Sequence, residues 1–123
     1  FATMSFLGDE SDYATEAFLV ANEQGKAVEM YELIFSNHDG KENNGKYSKD
    51  NLKKLAQKID GLDQKKFADA LDSGKYSSSV SKLTSNANGA GVSGTPTFVI
   101  NGQASSASWS KMSAQLEGLG VNV

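Results

Sequence analysis

Thiolate chemistry is closed within this sequence, because its 123 residues contain no cysteine. Disulfides, thiolate metal sites and cysteine nucleophiles are excluded with it. The single histidine, His38, leaves few catalytic dyads or imidazole metal sites open. It falls at the end of a predicted helix, where a positive charge suits the helix dipole, and reads as an incidental surface residue. Asp9, Glu10 and Asp12 crowd a predicted helix start; no further ligand at defined spacing joins them, so capping and dipole electrostatics explain them better than a metal. Lys53-Lys54 and Lys65-Lys66 read as solvated helix faces, and no glycine-rich phosphate loop is present. No catalytic residue, metal ligand or cofactor is therefore assigned. One segment stands apart: Gly91 to Gly102 (GVSGTPTFVING) holds the only proline, Pro96. A proline opening a strand need not break a central ladder, and X-Pro bonds are the ones that adopt the cis form.

The elements that must hold this segment follow from periodicity. Ala14, Ala17, Phe18 and Ala21 lie at i, i+3, i+4 and i+7, and Ala27, Met30, Tyr31 and Ile34 repeat the pattern after Gly25, predicting helices over 10–23 and 26–37. Residues 38–46 are polar and glycine-containing, a surface loop. Ser48 is placed to cap a third helix with Leu52, Leu55, Ala56 and Ile59 on one stripe, ended by Gly61. Asp63 is placed to cap a fourth carrying Phe67, Ala70 and Leu71, closed by Gly74. Tyr76, Val80, Leu83 and Ala87 mark a fifth, stopped at Gly89. Thr97–Ile100 is β-branched and aromatic, a strand, and Asn101-Gly102 is a strong hairpin-turn signal before a weak return strand at 103–105. Ser106 or Ser108 then caps a last helix bearing Trp109, Met112 and Leu116. Phe18, Tyr31, Phe35, Phe67 and Trp109 fall on helical stripes and are expected in the core.

Composition narrows the function classes. Hydrophobic residues make up 38% and charged residues 22%, ordinary for a globular chain and too apolar for intrinsic disorder. The net charge is −3 and all twelve basic residues are lysines. Nucleic-acid binding favours a basic patch and arginine forks, so no nucleic-acid partner is expected. The longest apolar run, Ala17 to Ala21, falls far short of the ~20 residues a membrane helix needs. The chain opens at Phe1 with no initiator methionine and no signal-sequence pattern. A processed product, an engineered segment and a piece of something longer all stay open.

The segment Gly91 to Gly102 closely resembles the cis-proline segment of DsbA-like thiol–disulfide oxidoreductases, which have a thioredoxin fold. The front of the chain agrees: Phe6-Leu7-Gly8 before a helix, then Glu23-Gln24-Gly25-Lys26 and Met30 to Phe35, is similar to the start of that family's helical insertion. Leu71 to Tyr76 resembles the turn into its long final insertion helix. The resemblance covers essentially the whole chain and looks closest to the secreted or membrane-anchored branch of Gram-positive and actinobacterial proteins. It implies an α/β, mostly helical class: an incomplete thioredoxin-like fold with a DsbA-type helical insertion followed by a β-hairpin and C-terminal helix. Residues 1–8 would be the remnant of a thioredoxin-fold strand and its connection, with Phe1–Ser5 the tail of that strand. Residues 9–90 would be the helical insertion, and 91–123 the C-terminal ββα segment with the cis-proline loop. The family's Cys-x-x-Cys strand–helix unit is not among these residues; such a unit spans about 30 residues or more.

The resemblance also implies a site. Gly94, Thr95 and Pro96 would bind substrate, the backbone at Thr95 pairing with a polypeptide like an added strand. In the family the residue before the proline also helps set the redox poise of the dithiol. The expected partners are cysteine-containing exported polypeptides, met outside the cytoplasm by an intact parent protein. A hairpin edge without its central neighbour strand leads to a further expectation: the chain's own N-terminal fragment, or strand pairing in a homo-oligomer, covers it, or the hairpin repacks against the helices. The alternative reading is a cysteine-free thioredoxin-fold module that binds proteins or peptides without redox activity. A third is a generic helical interaction domain with an incidental hairpin.

Overall fold

The computed structural model describes residues 2–105 and 107–123. Five helices come first: α1 (Asp9–Asn22), α2 (Ala27–Ser36), α3 (Lys49–Ala56), α4 (Gln64–Asp72) and α5 (Ser77–Gly89). The strands β1 (Phe98–Ile100) and β2 (Gln103–Ser105) follow, and then α6 (Trp109–Gly118). Among the described residues the chain is mostly helical, with one small antiparallel hairpin near its C-terminus. It divides into two compact units, residues 1–87 and 88–123, the division falling within α5.

The first unit is organised around α1. Ala17, Val20 and Ala21 are buried on its inner stripe, and α2, α3 and α4 all pack against it. Small side chains there let neighbouring helices approach closely. Met30 comes in from α2, Leu52 and Ala56 from α3, and Phe67 and Leu71 from α4, each pair at helical i, i+4 spacing. Phe67 is the bulkiest fully buried side chain.

Polar groups fix the angles at which these helices meet. Asp63 accepts from the Lys66 N–H at 3.0 Å and so caps α4. Its own N–H donates to Gln24 Oε1 at 2.8 Å, while Gln24 Nε2 donates to its carbonyl at 3.2 Å. This reciprocal pair pins the start of α4 to the end of α1. At the other end of α4, Lys49 Nζ donates to the Leu71 carbonyl at 2.7 Å, a cation against a helix C-terminus. Lys53 bridges Asp72 at 2.8 Å and Asp50 at 3.3 Å, tying α3 to α4.

In the second unit the hairpin register pairs Phe98 with Ser105, Val99 with Ala104 and Ile100 with Gln103. Asn101 and Gly102 have φ values of 49° and 78°. Both central residues of a type I′ turn need positive φ, which is the reason this dipeptide connects the strands. Ser108 occupies the N-cap position of α6, whereas Phe1 and Ser106 lie outside the described residues.

Several expectations are corrected. Residues 2–7 form no strand. Ser5 instead pairs with a side chain: its N–H donates to Thr84 Oγ1 at 2.9 Å, and that hydroxyl donates back to the Ser5 carbonyl at 3.1 Å. The acidic residues near the start of α1 make no side-chain cap, because Gly8 is its N-cap. Glu10 reaches across to the loop before α3, accepting from the Gly45 N–H at 2.5 Å and the Tyr47 N–H at 2.9 Å; Asp12 accepts from the Ser5 hydroxyl. Gly8 has φ +96°, and a Cβ there would lie 2.8 Å from the Asn43 side chain, so the same loop closes over a position only glycine fits. Ser48 sits at the N-cap of α3 without a side-chain capping bond. Of the five aromatics expected in the core, Phe67 is buried and Phe18 partly so. Tyr31, Phe35 and Trp109 are exposed, Phe35 by 62% and Trp109 by 64%. On α2 the buried contact is made by Met30, with Leu33 and Ile34 beside it, while Tyr31 and Phe35 stack on each other with ring centroids 4.5 Å apart.

Two substitutions test these assignments. Phe67→Ala removes the bulkiest buried side chain and is expected to cost about 3–5 kcal/mol in urea unfolding of the chain. Gly102→Val forces a β-branched residue to positive φ and is expected to weaken the hairpin by about 1–3 kcal/mol. NMR reads the second as lost cross-strand contacts between Phe98 and Ser105, with the shifts of Leu52 and Phe67 unmoved.

Candidate functional site

The segment from Gly91 to Ile100 begins where α5 stops. The Gly91 N–H donates to the Asn88 carbonyl at 3.0 Å, finishing the helix with a turn. The chain then bends through Gly94, Thr95 and Pro96, and the Thr95–Pro96 peptide bond is cis. Thr97 Oγ1 donates to the Gly94 carbonyl at 2.5 Å and closes that bend across its base. The strand consequently starts at Phe98 instead of Thr97. Thr95 and Pro96 are exposed and Gly94 is partly covered. The three residues singled out for substrate binding thus lie together in one bend leading directly into β1.

The sheet of the described residues has two strands, so β1 has a strand neighbour on one edge only. An edge of this kind presents N–H and C=O groups spaced to accept another extended segment. Phe98 and Val99 are both exposed, although successive strand residues point to opposite faces. Gln115 Nε2 of α6 approaches the Ile100 carbonyl at 3.5 Å. Neither Thr97 nor Gln115 is distinguished by sequence alone: a hydroxyl three residues from a carbonyl is too common a spacing, and the Gln115 contact needs the packing of α6 to exist.

The chemistry available is narrow. Between Lys82 and Lys111 the sequence contains no ionisable side chain. General acid–base work and thiolate attack both need such a group. Backbone pairing, hydroxyl hydrogen bonds and apolar contact are what this stretch offers.

The remaining candidates serve local structure. His38 Nδ1 accepts from the Gly40 N–H at 3.3 Å in the turn after α2. Lys65 pairs with Asp69 at 2.5 Å, an exposed i, i+4 contact, and Lys66 approaches Asp63 at 3.9 Å. An open cleft of about 480 Å³ beside α2 is lined by opposing charges, among them Lys26, Glu29, Lys58 and Asp60. There Glu29's own backbone N–H and then Lys26, at 3.1 Å, hold its carboxyl below the ordinary range. Among the described residues no group of three or more His, Cys, Asp or Glu side chains could hold a metal ion. No described helix is long and apolar enough to cross a membrane.

No curated protein and no solved structure matches the chain. A family model does: the DSBA-like thioredoxin domain matches residues 2–117. That match takes in the helices of the first unit, the cis-proline bend, the hairpin and nearly all of α6. The chain therefore belongs to the DSBA-like thioredoxin domain family.

Proposed function

We propose that this chain is the substrate-receiving part of a thiol–disulfide oxidoreductase that acts on cysteines of exported polypeptides. In this reading it is the C-terminal portion of an incomplete thioredoxin-like fold, and the redox dithiol comes from outside these 123 residues. The observation that carries the reading is the family match over residues 2–117 of a chain without cysteine. In such chemistry a thiolate attacks one sulfur of a disulfide, forms a mixed disulfide and releases the other sulfur as a thiolate. A second thiol resolves the intermediate, so two electrons pass between dithiol and disulfide. The contribution here is positional. Gly94, Thr95 and Pro96 hold the polypeptide extended, with Thr95 pairing through its backbone as an added strand would.

The open edge of β1 fits the same proposal. It takes a strand from the family's cysteine-bearing unit, its own N-terminal fragment, or from a second copy of the chain. Action outside the cytoplasm belongs to the proposal as well, since disulfide exchange on exported chains takes place there. The absence of cysteine also favours a second reading, a peptide-binding module that keeps the scaffold without redox work.

The purified chain is expected to reduce insulin no faster than a no-enzyme control, because the thiolate is the nucleophile and the chain has none. Titration with an extended peptide whose cysteine is alkylated is expected to shift the Gly94, Thr95 and Phe98 amides and leave Phe67 unmoved. Turnover by the pure chain, or peptide shifts confined to residues 9–72, would overturn the reading. A Cys-x-x-Cys encoded upstream of Phe1 in a strand–helix pattern selects the oxidoreductase; a signal peptide joined directly to Phe1 selects the binding module.

A further inference from the structure

Glu16 lies on the inner side of α1 and is only 3% exposed. Its Oε2 is buried and has no hydrogen-bond partner. A carboxylate in that position would normally be paired, because an uncompensated buried charge is strongly destabilising. The cation nearest in its electrostatics is Lys49 of α3, but that ammonium is committed elsewhere. It donates to the Leu71 carbonyl at 2.7 Å and sits 5.3 Å over the Tyr13 ring. Asp12, one turn earlier on the same face of α1, adds a like charge and is held by the Ser5 hydroxyl. Ser5 is in turn fixed to Thr84 of α5. The charged groups that act on Glu16 are Lys49 of α3 and Asp12 of α1 itself.

We infer that Glu16 is a proton-operated latch in the helical unit: its carboxyl folds in the neutral form, and ionising it loosens α1 from α3 and from the segment around Ser5. A neutral carboxyl needs no counter-ion, which fits a buried Oε2 without a hydrogen-bond partner and a Lys49 that donates to the Leu71 carbonyl. The latch is independent of the proposed peptide site and of any thiol.

The sign follows from burial. Burial raises the Glu16 carboxyl above its ordinary 4.5, Lys49 pulls it down, and Asp12 pushes it further up. The folded state therefore binds this proton more tightly than the unfolded chain. Its contribution is complete below 4.5 and is lost as pH climbs through the raised folded value, by up to about tenfold in the folded-to-unfolded ratio per pH unit. Glu23 runs the other way, held low chiefly by Lys75 and Tyr76, and so does Asp39, held low chiefly by the Lys41 N–H. Those two favour folding above the ordinary carboxylate range and lose that contribution as pH falls. The latch must therefore be read as a difference against a variant.

Urea unfolding of the full chain and of Glu16→Gln, from about pH 4 to pH 8, supplies that difference. The gap between them is expected to shift in favour of Glu16→Gln as pH rises from 4.5 through the raised folded value, by up to about tenfold for each pH unit crossed, and then to hold constant. Carbon-detected NMR of the Glu16 carboxyl in the unmutated chain is expected to show a midpoint above 4.5, moved higher still by Lys49→Met. A midpoint at or below 4.5, or a gap that does not change with pH, overturns the proposal. If Glu16→Gln does not fold, the two carboxyl midpoints decide.

Discussion

The close approach of three helices to α1 is the constraint on which the first unit rests. Ala17 and Ala21 are fully buried, and each presents only a methyl group to what lies above it. A larger side chain at either position would push α2, α3 or α4 outward and open space around Met30, Leu52 and Phe67. Cores packed to crystal-like density tolerate neither the added volume nor the void. The polar ties depend on the same spacing. Gln24 meets the Asp63 backbone, and Lys49 meets Leu71, only while the helices stay near α1.

Side chains repeatedly take over work that backbone pairing does elsewhere. Thr84 exchanges two hydrogen bonds with the Ser5 backbone, as an adjacent strand would. Gln24 does the same for Asp63. Glu10 gathers the N–H groups of Gly45 and Tyr47 in the loop before α3. These contacts satisfy backbone groups in segments that have no strand partner; those of Ser5 and Tyr47 are part-buried, where water is less able to replace them.

What could be read from the sequence was set by local rules. The stripes at Leu52 and Ala56, and at Phe67 and Leu71, follow helical periodicity, and Asn101-Gly102 follows the conformations a tight hairpin turn demands. Those features need no knowledge of what lies opposite. The misread features all depend on it. Residues 2–5 look strand-like, yet a strand exists only with a partner, and Ser5 found Thr84 instead. Tyr31 and Phe35 share the apolar character of Met30, and only the direction of approach of α1 decides which of them is covered. Glu10 and Asp12 satisfy the rules for a helix start, but the atoms they bind come from Gly45, Tyr47 and Ser5. Glu16 gives no local sign of its burial. At the candidate site the bend at Gly94, Thr95 and Pro96 was visible from its one proline, whereas Thr97 and Gln115 act through contacts that only three dimensions create.

The uncharged stretch between Lys82 and Lys111 has a consequence for how anything is met there. Long-range attraction speeds encounter and selects by charge, and it weakens as salt is added. This stretch adds no ionisable group of its own to that attraction, which comes from the rest of the chain. In the proposed function, a segment docking on the bend and the β1 edge meets only charges from outside this stretch, whose pull falls as ionic strength rises. Contact there rests on main-chain geometry common to every polypeptide, and this stretch adds no charge of its own to the choice of partner.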